Sequence, residues 1–98
     1  MLTPFLLIFN QLEGSRQEIL NYLDTCKEIK NWYAFMPEAI FIVSDVDAHA
    51  LSKIFQGKYP NRYFMITEVT VGKNNGWLDK TAWDFINNPK STGRWPVG

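Results

Sequence analysis

Ninety-eight residues, 46% hydrophobic and 15% aromatic, with ten basic side chains against ten acidic ones, describe a single folded domain. That length leaves room for one core, and the apolar content excludes disorder. Zero formal charge lacks the basic excess on which phosphate-binding modules rely.

The charge is uneven along the chain. Residues 1–52 carry three basic and seven acidic side chains, and residues 53–98 carry seven basic and three acidic. Such halves attract one another in a fold, or leave a basic face for an anionic partner. The lone Cys26 cannot form an internal disulfide and suits reduced, cytoplasmic surroundings. The apolar run Phe5–Phe9 is far shorter than the about 20 residues a membrane span needs. It lacks the flanks of a signal peptide.

Phe5–Phe9, uniformly apolar and ended by Asn10, predicts a central strand. After a loop at Leu12-Glu13-Gly14, Ser15 and Glu18 have capping-box spacing. Ile19, Leu23, Cys26 and Ile29 then share one face of a helix over roughly 16–29. Cys26 is expected on that apolar face as an inert thiol.

Asn31–Asp45 reads as a hairpin: an outer strand through Trp32–Met36, a turn at Pro37-Glu38, and a dense inner strand Ala39–Val43. Asp47 predicts the cap of a second helix, with Val46 spaced to meet Leu51. Ala50, Leu51, Ile54 and Phe55 give its buried face, and Gly57 its stop. Arg62–Val71 predicts the longest strand, about 33 Å against about 17 Å for Phe5–Phe9, so that it overhangs its neighbour. After a loop at Gly72–Gly76, Asp79 caps a short helix packed through Ala82, Trp83 and Ile86. Asn88-Pro89 ends it. Residues 1–88 form the domain, and Lys90–Gly98 predicts a mobile tail carrying Trp95.

This order gives an α+β, ferredoxin-like βαββαβ sandwich: an antiparallel four-stranded sheet in the order fourth, first, third, second, plus a short C-terminal helix. The fourth strand becomes an edge.

Few residues carry chemistry. Asp45-Val-Asp47-Ala-His49 holds metal-ligand types, but capping occupies Asp47 and the spacing does not converge three ligands on one helical face. No metal or cofactor is therefore expected. Trp77 and Trp83 are expected to cover an end or the open face of the sheet. Trp32, Tyr33 and Phe35 on the outer strand, with Arg62 and Trp77, form the candidate partner-binding set.

The phrases NWYAFMPEAIFIVSD and RYFMITEV…GWLDKTAWDFI resemble the compact ferredoxin-like proteins grouped with the CRISPR adaptation small subunit and the VapD toxins. They are most similar to SinR-like bacterial and phage proteins. The resemblance covers residues 5–87 and implies a homodimer, with the final strand or the segment after it reaching to the partner. It also implies a phage, defence or toxin–antitoxin setting. Nucleases of the wider group hold a metal through an acidic residue ending the first strand. Here that position is Asn10, a poorer Mg²⁺ ligand than a carboxylate.

Three functions compete. The leading one is a homodimer through the Arg62–Val71 edge that binds a protein partner without catalysis of its own. The second is a metal-dependent endoribonuclease with Asn10, Asp45 and Glu68 around a shared cleft and Arg62 or Lys73 steering phosphate. The third is a small-ligand module, which a closed apolar pocket would support.

Overall fold

The computed structural model describes residues 2–10, 15–70 and 72–89, with Ser15 described by its backbone alone. The capping hydroxyl expected at Ser15, the loop at Leu12-Glu13-Gly14 and the tail from Lys90 lie outside the described residues. Seven elements follow in order: β1 (Thr3–Phe9), α1 (Ser15–Leu23), β2 (Ile29–Met36), β3 (Ala39–Ser44), α2 (Ala48–Lys58), β4 (Phe64–Glu68) and α3 (Lys80–Asn87). The strands form one antiparallel sheet in the order β2-β3-β1-β4. This is the order expected, read from its other edge.

The two dense apolar runs are the central strands, covered on one face throughout and on the other in part. Alternation divides their side chains between two clusters. Phe5, Leu7, Phe9, Ile40 and Ile42 pack beneath α1 and α2 with Ile19, Leu23, Leu51 and Phe55. Phe41 and Val43 point the other way and pack with Ala82, Phe85 and Ile86 of α3. One face of the sheet therefore carries two helices, and the opposite face carries one. Among the described residues no helix is long and apolar enough to cross a membrane.

The ends of α1 and α2 and the extent of β4 differ from expectation, each for a local reason. Helix α1 stops at Leu23 rather than near residue 29. The Thr25 amide and hydroxyl both donate to the Tyr22 carbonyl, the hydroxyl at 2.7 Å, and Ile29 is taken into β2 opposite Ser44. Cys26 therefore sits in the turn, half-buried against the core rather than on a helix. Helix α2 passes through Gly57 and ends at Lys58, where the Tyr59 amide caps back to the Phe55 carbonyl and Pro60 forbids another turn.

The largest difference is β4. It spans Phe64–Glu68, five residues instead of ten, and does not overhang β1. At its start the Arg62 amide turns back to the Tyr59 carbonyl at 3.2 Å. At its end the Val69 amide makes a last bond to the Pro4 carbonyl at 2.9 Å. Amide and carbonyl of one strand residue point the same way, so the N–H that Pro4 lacks would have faced β4. The ladder ends there because the next donor does not exist.

The capping expectations for the later helices are met. Asp47 Oδ1 accepts from the Ala50 amide at 2.8 Å, and Asp79 Oδ1 accepts from the Ala82 amide at 2.7 Å. Each cap satisfies an orphan amide and is worth about 1 kcal/mol. Ser44, fully buried at the end of β3, donates to the Glu28 carbonyl at 2.6 Å and accepts from the Val46 amide at 3.2 Å. It locks the β2 entrance to the α2 approach.

Candidate partner-binding surface

Helix α3 covers one end of its face and leaves the other bare. The boundary follows from attachment. The Tyr33 hydroxyl donates to Asp79 Oδ2 at 3.2 Å, and the Tyr33 ring tilts against Phe85 at 6.1 Å, which fixes the start of α3 over the middle of β2. Phe35 stacks on Phe41 at 4.0 Å between centroids and extends the covered zone by one step.

Beyond Phe35 the strand register aligns Met36 with Ala39, Ala39 with Ile8, and Ile8 with Met65. These four residues form a row across the whole sheet. Met36 is 47% exposed, Ile8 42% and Met65 60%, and Tyr63, just before β4, is 90% exposed. A hollow of about 440 Å³ lies over the part of the row between β2 and β1, walled by Leu6, Ile8, Phe35, Met36 and Glu38. Scattered exposed apolar residues are ordinary; a contiguous row that ends on a strand which is the sheet edge among the described residues is not.

The expected partner-binding residues do not form one patch. Trp32 lies on the two-helix face, half-buried, with its indole N–H donating to Asp24 Oδ1 at 2.9 Å. Tyr33 and Phe35 lie on the opposite face beneath α3. Arg62 lays its guanidinium over the Tyr59 ring at 5.0 Å. Its buried Nη1 finds no hydrogen-bond partner among the described residues, nor does the buried Tyr59 hydroxyl. Trp77 is 99% exposed, so it does not cover the sheet as expected, whereas Trp83 does pack there.

Ile8, Met36 and Met65 were not singled out by the sequence; Tyr63 was, but as an aromatic that could stack on a nucleic-acid base. The signal available was the period of two: once Phe5, Leu7 and Phe9 face two helices, Leu6 and Ile8 must face the other way.

Asn10, Asp45 and Glu68 do not share a cleft. Asn10 is exposed at the end of β1, next to the pairing of Phe9 with Phe64. Glu68 pairs with Phe5, about 17 Å along the same strand from Asn10. Asp45 follows β3 near that second end, two strands over, and forms an ion pair with Lys30 at 3.9 Å. Among the described residues no group of three His, Cys, Asp or Glu side chains could hold a metal. A smaller hollow of about 220 Å³ under α3, lined by Leu6, Val69, Leu78 and Trp83, falls below the ~300–1,000 Å³ of small-molecule sites.

The perturbed titrations are structural and lie in tyrosines. Burial, then the hydrogen bond and charge of the Cys26 thiol, push Tyr22 up to about 12. Burial raises Tyr59, with Glu18 adding to the effect and Arg62 opposing it. Burial and the Asp79 carboxylate raise Tyr33. The fold thus favours the neutral phenol. This contribution is complete below the ordinary tyrosine value of about 10 and is lost as pH climbs through the raised values. Unfolding free energy should fall from about pH 10 upward, and Tyr22→Phe should flatten the fall. Denaturant melts at successive alkaline pH values read this directly; equal slopes in the two proteins would refute it.

Comparison with known proteins finds no match: no family model fits the sequence, and no curated protein or solved structure aligns with it.

Proposed function

We propose that this chain is a small interaction module of ferredoxin-like build. Two copies join through the outer edge of β4 and offer an apolar surface to a protein partner, without catalysis of their own. The observation that carries this reading is that β4 is an edge strand among the described residues, bordered by the exposed Met65 and Ile8. An edge strand beside an apolar row gains both ladder bonds and burial when a second strand is added. The phage or bacterial setting, in defence or toxin–antitoxin systems, is taken from the sequence resemblance. The ribonuclease reading draws no support from residues set at opposite ends of the sheet.

Sedimentation equilibrium at tens of micromolar, an order of magnitude chosen for weak dimers, should give twice the monomer mass. Amide exchange should show β4 protected at high concentration and unprotected on dilution. A monomer, or a dimer whose β4 amides exchange freely, rules out the edge pairing.

A further inference from the structure

We infer that Asn75-Gly76 is a site of spontaneous covalent modification, where the Gly76 backbone nitrogen attacks the Asn75 side chain and leaves a carboxylate in the tether of α3. Asn75 and Gly76 are exposed and lie in a stretch with neither helix nor strand. The Gly76 amide donates to Asn75 Oδ1 at 2.8 Å, which folds the side chain onto the backbone next to it. The side-chain carbon Cγ, about 1.23 Å from that oxygen, thus stays within about 4 Å of the nitrogen that must reach it. Positioning of this kind turns a chance encounter into a unimolecular step.

Glycine leaves the nitrogen unshielded. The chain has eight asparagines, and Asn75 alone precedes a glycine. Gly76 has no Cβ to stand in the path, and among the described residues nothing lies within 4 Å of where one would sit. The neighbours are different. Asn74 Nδ2 donates to the Thr70 carbonyl at 2.7 Å, which engages that side chain with the loop behind it. Asn88 precedes Pro89, which has no N–H to attack with.

The steps balance with water alone. Hydroxide takes the Gly76 amide proton, the N–Cγ bond forms and the Cγ–Nδ2 bond breaks. The departing NH2 takes a proton from water, which releases ammonia and restores hydroxide. Water then opens the five-membered imide. Cleavage of the new N–Cγ bond gives aspartate. Cleavage of the original peptide bond gives isoaspartate, whose main chain runs through the former side chain and is one methylene longer.

Either product acts on α3. Asn75 and Gly76 line the hollow of about 220 Å³ beside Leu6, Val69 and Trp83. A neutral amide there becomes a charge next to an apolar wall, where hydration is reduced. Isoaspartate also lengthens the link between β4 and α3. An eight-residue helix held by its packing is the element that yields.

The test incubates the purified full chain at neutral and at mildly alkaline pH. Peptide mass spectrometry with electron-transfer fragmentation should find the OH-for-NH2 mass gain at Asn75 ahead of every other asparagine, as aspartate and isoaspartate. Isoelectric focusing should show an isoform one charge more negative. The rate should rise with pH, because the deprotonated nitrogen is the attacking form. Gly76→Ala meets nothing within 4 Å and should keep the circular dichroism spectrum. It should slow the conversion roughly 10- to 100-fold, the scale set by a small obstruction between reacting atoms. An unmodified wild type, an equal rate in Gly76→Ala, or a gain spread evenly over the exposed asparagines overturns the site. The separated isoaspartyl chain should lose amide protection in α3 while β1 and β3 keep theirs. Equal protection in the two forms overturns the effect on α3 and leaves the modification standing.

Discussion

Replacing Phe55 with alanine should lower the free energy of unfolding by about 3–5 kcal/mol, the usual cost of removing a buried phenyl ring. Phe55 is 2% exposed and stands where α1, α2 and β4 meet. It meets Tyr22 edge-on at 6.1 Å, stacks with Tyr59 at 6.3 Å and tilts against Phe64 at 5.9 Å. Each aromatic pair adds about 0.5–1.5 kcal/mol beyond burial, and all three are lost together. Against a total of about 5–15 kcal/mol for a folded domain, the change brings a chain of this size close to its threshold. Urea titration followed by circular dichroism would show the midpoint fall with a single transition. A loss under about 1 kcal/mol, the range of ordinary surface substitutions and weaker, would show that the hub does not bind these elements together.

Phe85→Ala removes the same ring from the other side of the sheet, and a different outcome is expected. Phe85 is fully buried, yet it belongs to an eight-residue helix that cannot persist without its packing. Residues 72–79, which lead to it, carry no helix or strand. The substitution should release α3 while β1, β3, α1 and α2 keep their amide protection. The emission of Trp83 should shift to the red, and Phe41 and Val43 should bind an apolar dye. The local cost is again about 3–5 kcal/mol. Loss of protection throughout the chain at one rate would show that α3 is part of the global folding unit instead.

These two expectations depend on features of unequal visibility in the sequence. The central strands were legible because Phe5–Phe9 and Ala39–Val43 are dense enough to need cover on both faces. The caps at Asp47 and Asp79 were legible because a side-chain oxygen three residues ahead of an amide is a local relation. The end of α1 was not. Cys26 and Ile29 continue its helical spacing faithfully, and only the pairing of Ile29 with Ser44 takes them away.

The length of β4 was hidden for a similar reason. Its own residues favour a strand through Val71, but its partner runs out of donors at Pro4. For the candidate surface, the edge position of β4 could be read in advance. The row could not, because an unbroken apolar run does not reveal which of its faces lies under two helices and which under one.

The placement of α3 also has a consequence for how the chain comes off the ribosome. Phe41 and Val43 are synthesised about forty residues before Phe85 and Ile86, which cover them. At 5–20 residues per second, the sheet face that they share waits roughly 2–8 s for its lid. The hairpin and β1 can pair in that interval, but β4 and α3 are still to come. The nascent protein therefore passes through a stage in which the α3 side of the sheet is wet, and a neighbouring nascent chain would meet that side first.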